Sequence, residues 1–360
     1  MHSMKTIRQS FVFGHPILSH DCCSSNIQFV ALLLPFLCSL TSAGAQENFD
    51  TIEPRWKQLS QAYGFLLGQQ ASLELVEKKF PNLAMEAKEA WFVFNSTALG
   101  ECVKGVEEEL AHELGAKWPE FKEYISMQMN DHLGMNDLTL QQASEFIAEV
   151  RRRAKGDMPE TIRSALLSAH PRYSKNPELE LSEGWKQTFR TKDHPKAKGL
   201  DFSISVPASW SKGEGNRPNI IQVFRSGCGH GPILCSLMVK AITQPLGYSP
   251  TKQELKELFQ PDVLKQTVPE GGKLIVAREL VLEGYPAGML VYDITQQRLD
   301  FTINVRMTQF VIFHQNSMIL IHFAVSKQPD TSETLDQLYQ RFQPLFKLVA
   351  NTLVINDRYK

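Results

Sequence analysis

The chain has 360 residues, of which 42% are hydrophobic and 21% are charged, and this composition excludes a mainly disordered protein. Its 21 glycines and 19 prolines exclude a collagen-like or low-complexity chain, and the length allows about two domains. The 38 basic and 39 acidic residues give a net charge of −1, so no nucleic-acid partner is predicted from global charge.

The first 45 residues have the pattern of a secretory signal peptide. Lys5 and Arg8 precede an uncharged apolar stretch at 27–40, and small residues at 43–45 form a cleavage pattern. A helix of 14 residues is about 21 Å long, too short for a bilayer core of about 30 Å. We predict cleavage after about Ala45, a secreted or periplasmic protein, and no transmembrane helix in the mature chain. An uncleaved signal anchor is the alternative.

Residues 46–170 are predicted to form an all-helical bundle. Gly115 has the position of a helix C-terminal stop, and Thr139 with Gln142 has the spacing of a capping box. Each amphipathic face needs a partner, so five or six helices are expected to pack together. In the first predicted helix, apolar residues recur at the three- and four-residue spacing typical of one helix face; they are Trp56, Leu59, Tyr63, Leu66, Leu73 and Val76.

Residues 171–199 are predicted to be a linker, because proline, lysine and glycine are dense there. From residue 200 the hydrophobic period changes to two, which is typical of β-strands. Strands are predicted at 200–206, 219–225, 233–242, 273–282, 287–294, 299–313 and 318–325, with a short helix at 251–259 and a turn at 315–317. Asp330 with Glu333 is predicted to cap a final helix that Pro344 kinks or divides.

The strands are mostly linked by short turns, which favours an antiparallel sheet with helices packed on it. The predicted fold class is therefore α+β: an N-terminal all-helical bundle followed, at 200–360, by an α/β sandwich with a mainly antiparallel sheet.

The C-terminal part resembles the PsbP-like family of exported and lumenal proteins. The resemblance rests on GLDFSISVPASW at 199–210, EGYPAGMLVYDI at 283–294, the strand pair LDFTINVRMTQFVIF and MILIHFAV, and the closing helix before Leu353-Val354-Ile355. It implies a twisted antiparallel sheet between helices and a non-enzymatic role in binding or assembly. The helical half resembles no family known to us, which leaves the partner open.

Charge divides along the same boundary. Residues 46–180 contain 15 basic and 22 acidic residues, whereas residues 181–360 contain 21 and 16. The net charges of −7 and +5 describe an ordinary solvated surface, or two domains that attract each other or meet partners of opposite sign.

Three cysteines remain once the leader is removed: Cys102, Cys228 and Cys235. Cys228 and His230 lie in the glycine-rich segment SGCGHGP at 226–232. A Cys228–Cys235 disulfide is the favoured prediction in an exported protein, and an ordinary loop is the next. A reactive thiol beside the His230 imidazole is the third. No fourth ligand accompanies these residues, so no metal is predicted.

The sequence contains neither a phosphate-binding loop nor a dinucleotide fingerprint, and no cofactor is predicted. The leading interpretation is an exported, non-catalytic binding or scaffold protein of the cell envelope with an unknown protein partner. One alternative is a thiol-dependent redox protein or enzyme using Cys228 and His230. Another is a small-ligand carrier with a cavity between sheet and helix.

Overall fold

The computed structural model describes residues 54–133, 138–215, 217–241, 251–298, 301–327 and 332–359. The predicted signal peptide at 1–45 lies outside these residues. No helix in the described ranges is both long enough and apolar enough to cross a bilayer.

The N-terminal part of the described chain is helical, as predicted. Its helices are α1 (Pro54–Lys79), α2 (Ala84–Asn95), α3 (Ala98–Leu114), α4 (Trp118–Leu133), α5 (Leu140–Arg153), α6 (Glu160–Ser168), α7 (Pro171–Lys175) and α8 (Glu178–Ser182). Gly115 follows α3 with a φ of 53°, and Thr139 with Gln142 forms a capping box on α5, so both predicted helix boundaries are confirmed.

The helices bury one shared core, in which α1 packs against α2, α3 and α6. The apolar residues that predicted α1 lie inside it, and Tyr63 is fully buried. At one crossing Gly105 lets α3 approach the corner between α6 and α7. A Cβ atom at Gly105 would lie 1.8 Å from the carbonyl oxygen of Ala169. The bundle therefore depends on a glycine at this position.

The segment 171–199 is more than the linker that its composition predicts. It carries α7, α8 and β1 (Lys186–Arg190), and it buries Tyr173 and Leu181. Its prolines are compatible with helices, because Pro171 stands at the first position of α7, where a missing N–H costs nothing. The segment is thus an integral part of the fold.

The remaining strands are β2 (Phe202–Pro207), β3 (Ser211–Glu214), β4 (Ile220–Arg225), β5 (Ile233–Ala241), β6 (Lys273–Leu282), β7 (Tyr285–Arg298), β8 (Phe301–His314), β9 (Ser317–Ser326) and β10 (Val354–Ile355). One sheet has the order β1-β2-β10, and the other has the order β3-β4-β5-β9-β8-β7-β6. Every strand pair in the described ranges is antiparallel, which confirms the predicted α+β class.

The seven-stranded sheet is covered on both faces. One face packs against the three-stranded sheet and α11 (Leu335–Asn351), with Phe323 stacked on Phe346 at 4.4 Å between ring centroids. The other face is covered in part by α9 (Lys252–Leu258) and α10 (Pro261–Leu264), whose core includes Phe259. The sheet is therefore the middle layer of the C-terminal part.

One detail of α11 differs from the prediction, and one alternative for Pro344 falls away. Thr334 with Gln337 forms the capping box, whereas the predicted Asp330 lies outside the described residues and Glu333 precedes the helix. Pro344 lies inside α11 without dividing it. Pro344 has no N–H to donate to the carbonyl of Gln340. Both residues are exposed, so this carbonyl can bond to water instead.

The helical part and the sheet part pack directly on each other. Ala208 and Cys228, which belong to the sheet part by sequence, are buried in the core of the helices. Lys212 on β3 forms an ion pair of 3.2 Å with Glu160 at the start of α6. The junction therefore places α6 beside the edge of β3, where a cleft in the described protein begins.

Candidate functional site

The glycine-rich segment forms the connection between β4 and β5. It contains a short 3₁₀ turn, Gly227–Gly229, in which Cys228 has a φ of 53°. The N–H of Cys228 donates to the carbonyl of Ser209 at 3.0 Å, and its Sγ lies 3.2 Å from Ser164 Oγ of α6. The predicted reactive thiol is thus a buried contact between the two parts of the protein.

The predicted Cys228–Cys235 disulfide is not formed in this structure, where both thiols are free. Cys228 lies in the core of the helices, whereas Cys235 lies between the sheet and α11. A disulfide needs its two sulfur atoms about 2.05 Å apart, and these side chains point into different cores. The spacing along the chain predicted the pair, but Cys228 lies in the β4–β5 connection and Cys235 lies on β5, in separate cores.

Burial also argues against thiol chemistry at Cys228. It raises the pKa of the thiol, and the hydroxyl of Ser164 offsets only part of that shift. His230 follows the 3₁₀ turn, and its backbone N–H donates to Gly227. A buried, protonated thiol is a poor nucleophile, so the geometry favours a packing role for Cys228.

We expect Cys102, Cys228 and Cys235 to remain unmodified when the native protein is treated with a thiol reagent, because all three are buried. After unfolding, all three are expected to react. Intact mass of the unreduced, labelled protein measures both states. A protein whose Cys228 and Cys235 stay unlabelled even after unfolding, and become reactive only with a reductant, would instead contain the disulfide.

A buried carboxylate fixes the chain just before β3. Glu180 on α8 is only 4% exposed and accepts two hydrogen bonds of 2.7 Å from Ser209, one from the backbone N–H and one from the hydroxyl. Desolvation by burial raises the pKa of Glu180 to about 7, against the opposing effect of these hydrogen bonds. Since Ser211 begins β3, Glu180 positions one wall of the neighbouring cleft.

The cleft itself lies between β1 and β3, the open edge strands of the two sheets, and we call it the edge cleft. It has a volume of about 430 Å³. Its lining is Gln187, Thr188, Phe189, Lys212, Gly213, Glu214, Gln222 and Phe224. Three consecutive residues come from each edge strand. Because side chains alternate between faces, the cleft must meet each strand along its backbone edge.

Hydrogen bonding shows which backbone groups point into the edge cleft. Thr191 donates its N–H to Phe202 just beyond the β1–β2 pairing. In an antiparallel pair the bonded residues alternate with residues whose backbone groups point away. The N–H and C=O of Thr188 therefore point away from β2. On the other wall, the Ser226 N–H donates to the Ile233 carbonyl. The same alternation, counted from this bond, shows that the N–H and C=O of Lys212 point away from β4.

Two of the side chains that line the edge cleft are held by their own partners. The amide of Gln187 donates to the carbonyls of Pro207 and Trp210. Glu214 lies 2.8 Å from the Lys196 ammonium, which also donates to the carbonyl of Gly215 at 2.6 Å. The Lys196 ammonium lowers the pKa of Glu214, which holds that carboxyl as a carboxylate. These two lining side chains therefore have fixed positions.

Two aromatic rings supply the apolar surface of the edge cleft. Phe189 and Phe224 meet edge to face, with ring centroids 6.2 Å apart. Backbone groups, amides and a hydroxyl surround them, and both charged lining residues already have partners. No group of three or more metal-ligating side chains occurs in the described part of the chain. This combination is typical of a recognition site.

Sequence patterns alone do not reveal the edge cleft. Most of β1 is polar, and Gln187, Thr188 and Phe189 fall within the segment predicted to be a linker. The one signal is the alternation of Gln187 and Phe189 with Lys186, Thr188 and Arg190, which matches the observed exposure. The small-ligand carrier alternative predicted a cavity between sheet and helix, whereas this cleft opens between two sheet edges.

Comparisons with known proteins find structural similarity in the C-terminal part. No protein-family model matches the chain, and no curated protein matches its sequence. Its C-terminal region is similar in structure to cyanobacterial PsbP (CyanoP) from Synechocystis sp. PCC 6803, with 19% identity and a TM-score of 0.28. That match covers 47% of this chain and 92% of CyanoP.

Two further solved structures are similar. LpqN, involved in cell envelope biogenesis of Mycobacterium tuberculosis, is 14% identical with a TM-score of 0.30, over 48% of this chain and 92% of LpqN. PA94, a protein of unknown function from Pseudomonas aeruginosa, is 15% identical with a TM-score of 0.24, over 48% of this chain and 97% of PA94. These similarities concern the C-terminal part of a chain whose described residues form a helical unit joined to an α+β unit.

Proposed function

We propose that this chain is an exported, non-catalytic binding protein of the cell envelope whose ligand occupies the edge cleft. The observation that carries the proposal is the pair of strand edges lining one cleft. Outward backbone groups of Thr188 and Lys212 supply donors and acceptors in fixed positions, and the Phe189–Phe224 pair supplies apolar contact. Such a site recognises a ligand without supplying a nucleophile.

The helical unit supports this site. Glu160 of α6 holds Lys212 of β3, and Glu180 of α8 holds Ser209 directly before that strand. The strand edge is therefore braced from the helical side before any ligand arrives, which lowers the ordering cost of binding. In the proposed function the helices act as a scaffold for the cleft.

Export is the part of the proposal that rests on the sequence alone. We expect the protein purified from its own cells to begin near Gln46, because the residues before it have the charged, apolar and small-residue regions of a cleaved leader. Intact mass and N-terminal sequencing measure this directly. A mature protein that retains residues 1–45 would contradict cleavage and support the signal-anchor alternative.

Occupancy of the edge cleft can be tested with a photo-crosslinking amino acid placed at Thr188, which is exposed on the cleft wall. The matched control carries the same group at Lys347, on the exposed side of α11. We expect irradiation of producing cells to give one discrete adduct mass from the Thr188 position and none from Lys347. No adduct at Thr188, or the same adducts at both positions, would contradict a cleft ligand.

A further inference from the structure

Strand β6 forms the opposite edge of the seven-stranded sheet, far along the strand order from the edge cleft. It is ten residues long, and among the described strands it pairs with β7 alone. Edge strands in natural proteins are usually shorter or blocked, because a long unpaired edge invites another chain. The edge of β6 therefore needs an explanation.

The hairpin between β6 and β7 fixes which backbone groups of β6 are unpaired. Glu283 and Gly284 both have positive φ and form a two-residue turn, so Leu282 and Tyr285 are a hydrogen-bonded pair. Bonded residues alternate along an antiparallel pair. The backbone N–H and C=O groups of Leu280 and Arg278 thus bond to β7.

The alternate residues of β6 present their backbone groups outward. These residues are Ala277, Glu279 and Val281, and together they offer three N–H donors and three C=O acceptors. The regular register with β7 extends from Leu282 back to Val276, where a bulge begins, so the alternation holds across all three residues. This edge can accept a whole strand of about seven residues.

Apolar side chains beside this edge are unusually open to solvent. Val281 is 66% exposed and Ile275 is 43% exposed. Leu264 of α10 approaches Gly288 on β7, in register with Glu279, so α10 lies over the face of the sheet, and no described strand pairs with the edge of β6. An added strand would bury the exposed valine together with the unpaired backbone.

The charges on β6 disfavour a second copy of this chain as that strand. Two copies of β6 could pair only through residues whose backbone groups point outward. The register that uses Ala277, Glu279 and Val281 of both copies places two Glu279 carboxylates opposite each other. The adjacent register centred on Arg278 places two guanidinium groups opposite each other. The one centred on Leu280 avoids like charges but uses only Glu279 and Val281 of the three outward residues. Like charges directly opposite are destabilising in a sheet. A foreign segment with the complementary charges avoids this cost.

We propose that the edge of β6 binds an extended segment of another protein as an additional antiparallel strand. The segment has apolar residues opposite Val281 and Ala277, a basic residue opposite Glu279 and an acidic residue opposite Arg278. Main-chain hydrogen bonds provide the affinity, and the adjacent opposite charges fix direction and register. This surface is separate from the edge cleft, so it stands or falls independently of the proposed function.

The probe is the capped peptide Thr-Val-Thr-Lys-Glu-Val-Thr, whose lysine lies opposite Glu279 and whose glutamate lies opposite Arg278 in the antiparallel register. Titrated into the full chain, it is expected to slow amide hydrogen exchange at Ala277, Glu279 and Val281 by about tenfold or more at saturation, since each amide gains a partner. The amide of Leu280, already bonded to β7, is expected to change little.

Two matched peptides control for the backbone. Methylating the lysine nitrogen of the peptide main chain removes a donor that faces β6, and we expect about tenfold weaker binding. Methylating the main-chain nitrogen of the adjacent glutamate alters a group that points away, and binding is expected to persist. A third peptide, with lysine and glutamate exchanged, is expected to bind about threefold more weakly.

On the protein side, Glu279→Pro removes one outward N–H while leaving the bonds to β7 intact, and Glu279→Gln keeps that N–H. The proline variant is expected to lose peptide binding, and the glutamine variant to retain most of it. Unchanged exchange at the three outward amides in the presence of millimolar peptide would overturn the proposal. Equal binding of the two methylated peptides would overturn it as well, even where the proline variant does not fold.

Discussion

Replacing Glu180 with Gln is expected to remove a pH dependence of stability worth about 3 kcal/mol between pH 4 and pH 8. Burial raises the pKa of Glu180 to about 7, whereas an unfolded glutamate titrates near 4.5. Between these values the folded protein holds a proton that the unfolded chain has released. The wild-type free energy of unfolding therefore falls as pH rises through this range.

Glutamine at this position preserves the hydrogen bonds without titrating. Its carbonyl oxygen can accept from the Ser209 N–H, and its amide can donate to the Ser209 hydroxyl. We expect the variant to be more stable than wild type at pH 8, with the advantage lost or reversed at pH 4. Urea unfolding of both proteins at several pH values measures the difference, in which all other titrating groups cancel.

Two further variants separate charge from hydrogen bonding. Glu180→Ala leaves the buried Ser209 donors without an acceptor, so it is expected to lose about 2–4 kcal/mol even at pH 4. Glu178→Gln removes a carboxylate from the same short helix, away from Ser209, and is expected to follow the wild-type profile. If Glu180→Gln followed that profile too, the buried carboxylate would not be the titrating group.

Local patterns predicted most of the C-terminal strands because the alternation along a strand is visible in its own residues, even where its partner is distant in sequence, as for β5 and β9. The turn at 315–317 was predicted from its residues, and Gln315 does adopt a φ of 52° there, between β8 and β9. The capping box of Thr139 was predicted from a three-residue spacing. Periodicity, turns and caps are local properties, so one sequence is enough to detect them.

The candidate site was missed because its parts become functional only through distant contacts. Glu180 is an ordinary acidic residue in sequence, and only packing against Ser209 makes it a buried carboxylate. Strand β1 is polar because it forms an edge, and edges are defined by the order of strands, which period alone does not reveal. Likewise, the short spacing between Cys228 and Cys235 predicted a bond, whereas the structure places the two thiols in separate cores.

Replacing Gly105 with Ala is expected to destabilise the helical unit by about 3 kcal/mol, as overpacking of a rigid contact does. Helix propensity alone predicts the opposite sign, since alanine is favoured over glycine by about 1 kcal/mol within a helix. The structure decides between them. A Cβ at Gly105 would lie 1.8 Å from the Ala169 carbonyl oxygen and 3.1 Å from the Pro171 ring.

The obstacle at Gly105 is backbone, so it cannot be relieved by a change of rotamer. The corner between α6 and α7 must move, and α6 carries both Ser164, which contacts Cys228, and Glu160, which holds Lys212. We therefore expect Gly105→Ala also to expose the Cys228 thiol to labelling, which a change in helix propensity alone would not do.

Urea unfolding followed by far-ultraviolet circular dichroism measures the stability of Gly105→Ala, and the rate of native thiol labelling measures the movement of the corner. Lys104→Ala, the adjacent position on α3, is the control and is expected to change stability by about 0.5 kcal/mol or less. A Gly105→Ala protein as stable as wild type, with Cys228 still protected, would show that α3 and the α6–α7 corner are not in the close contact on which the junction of the two units depends.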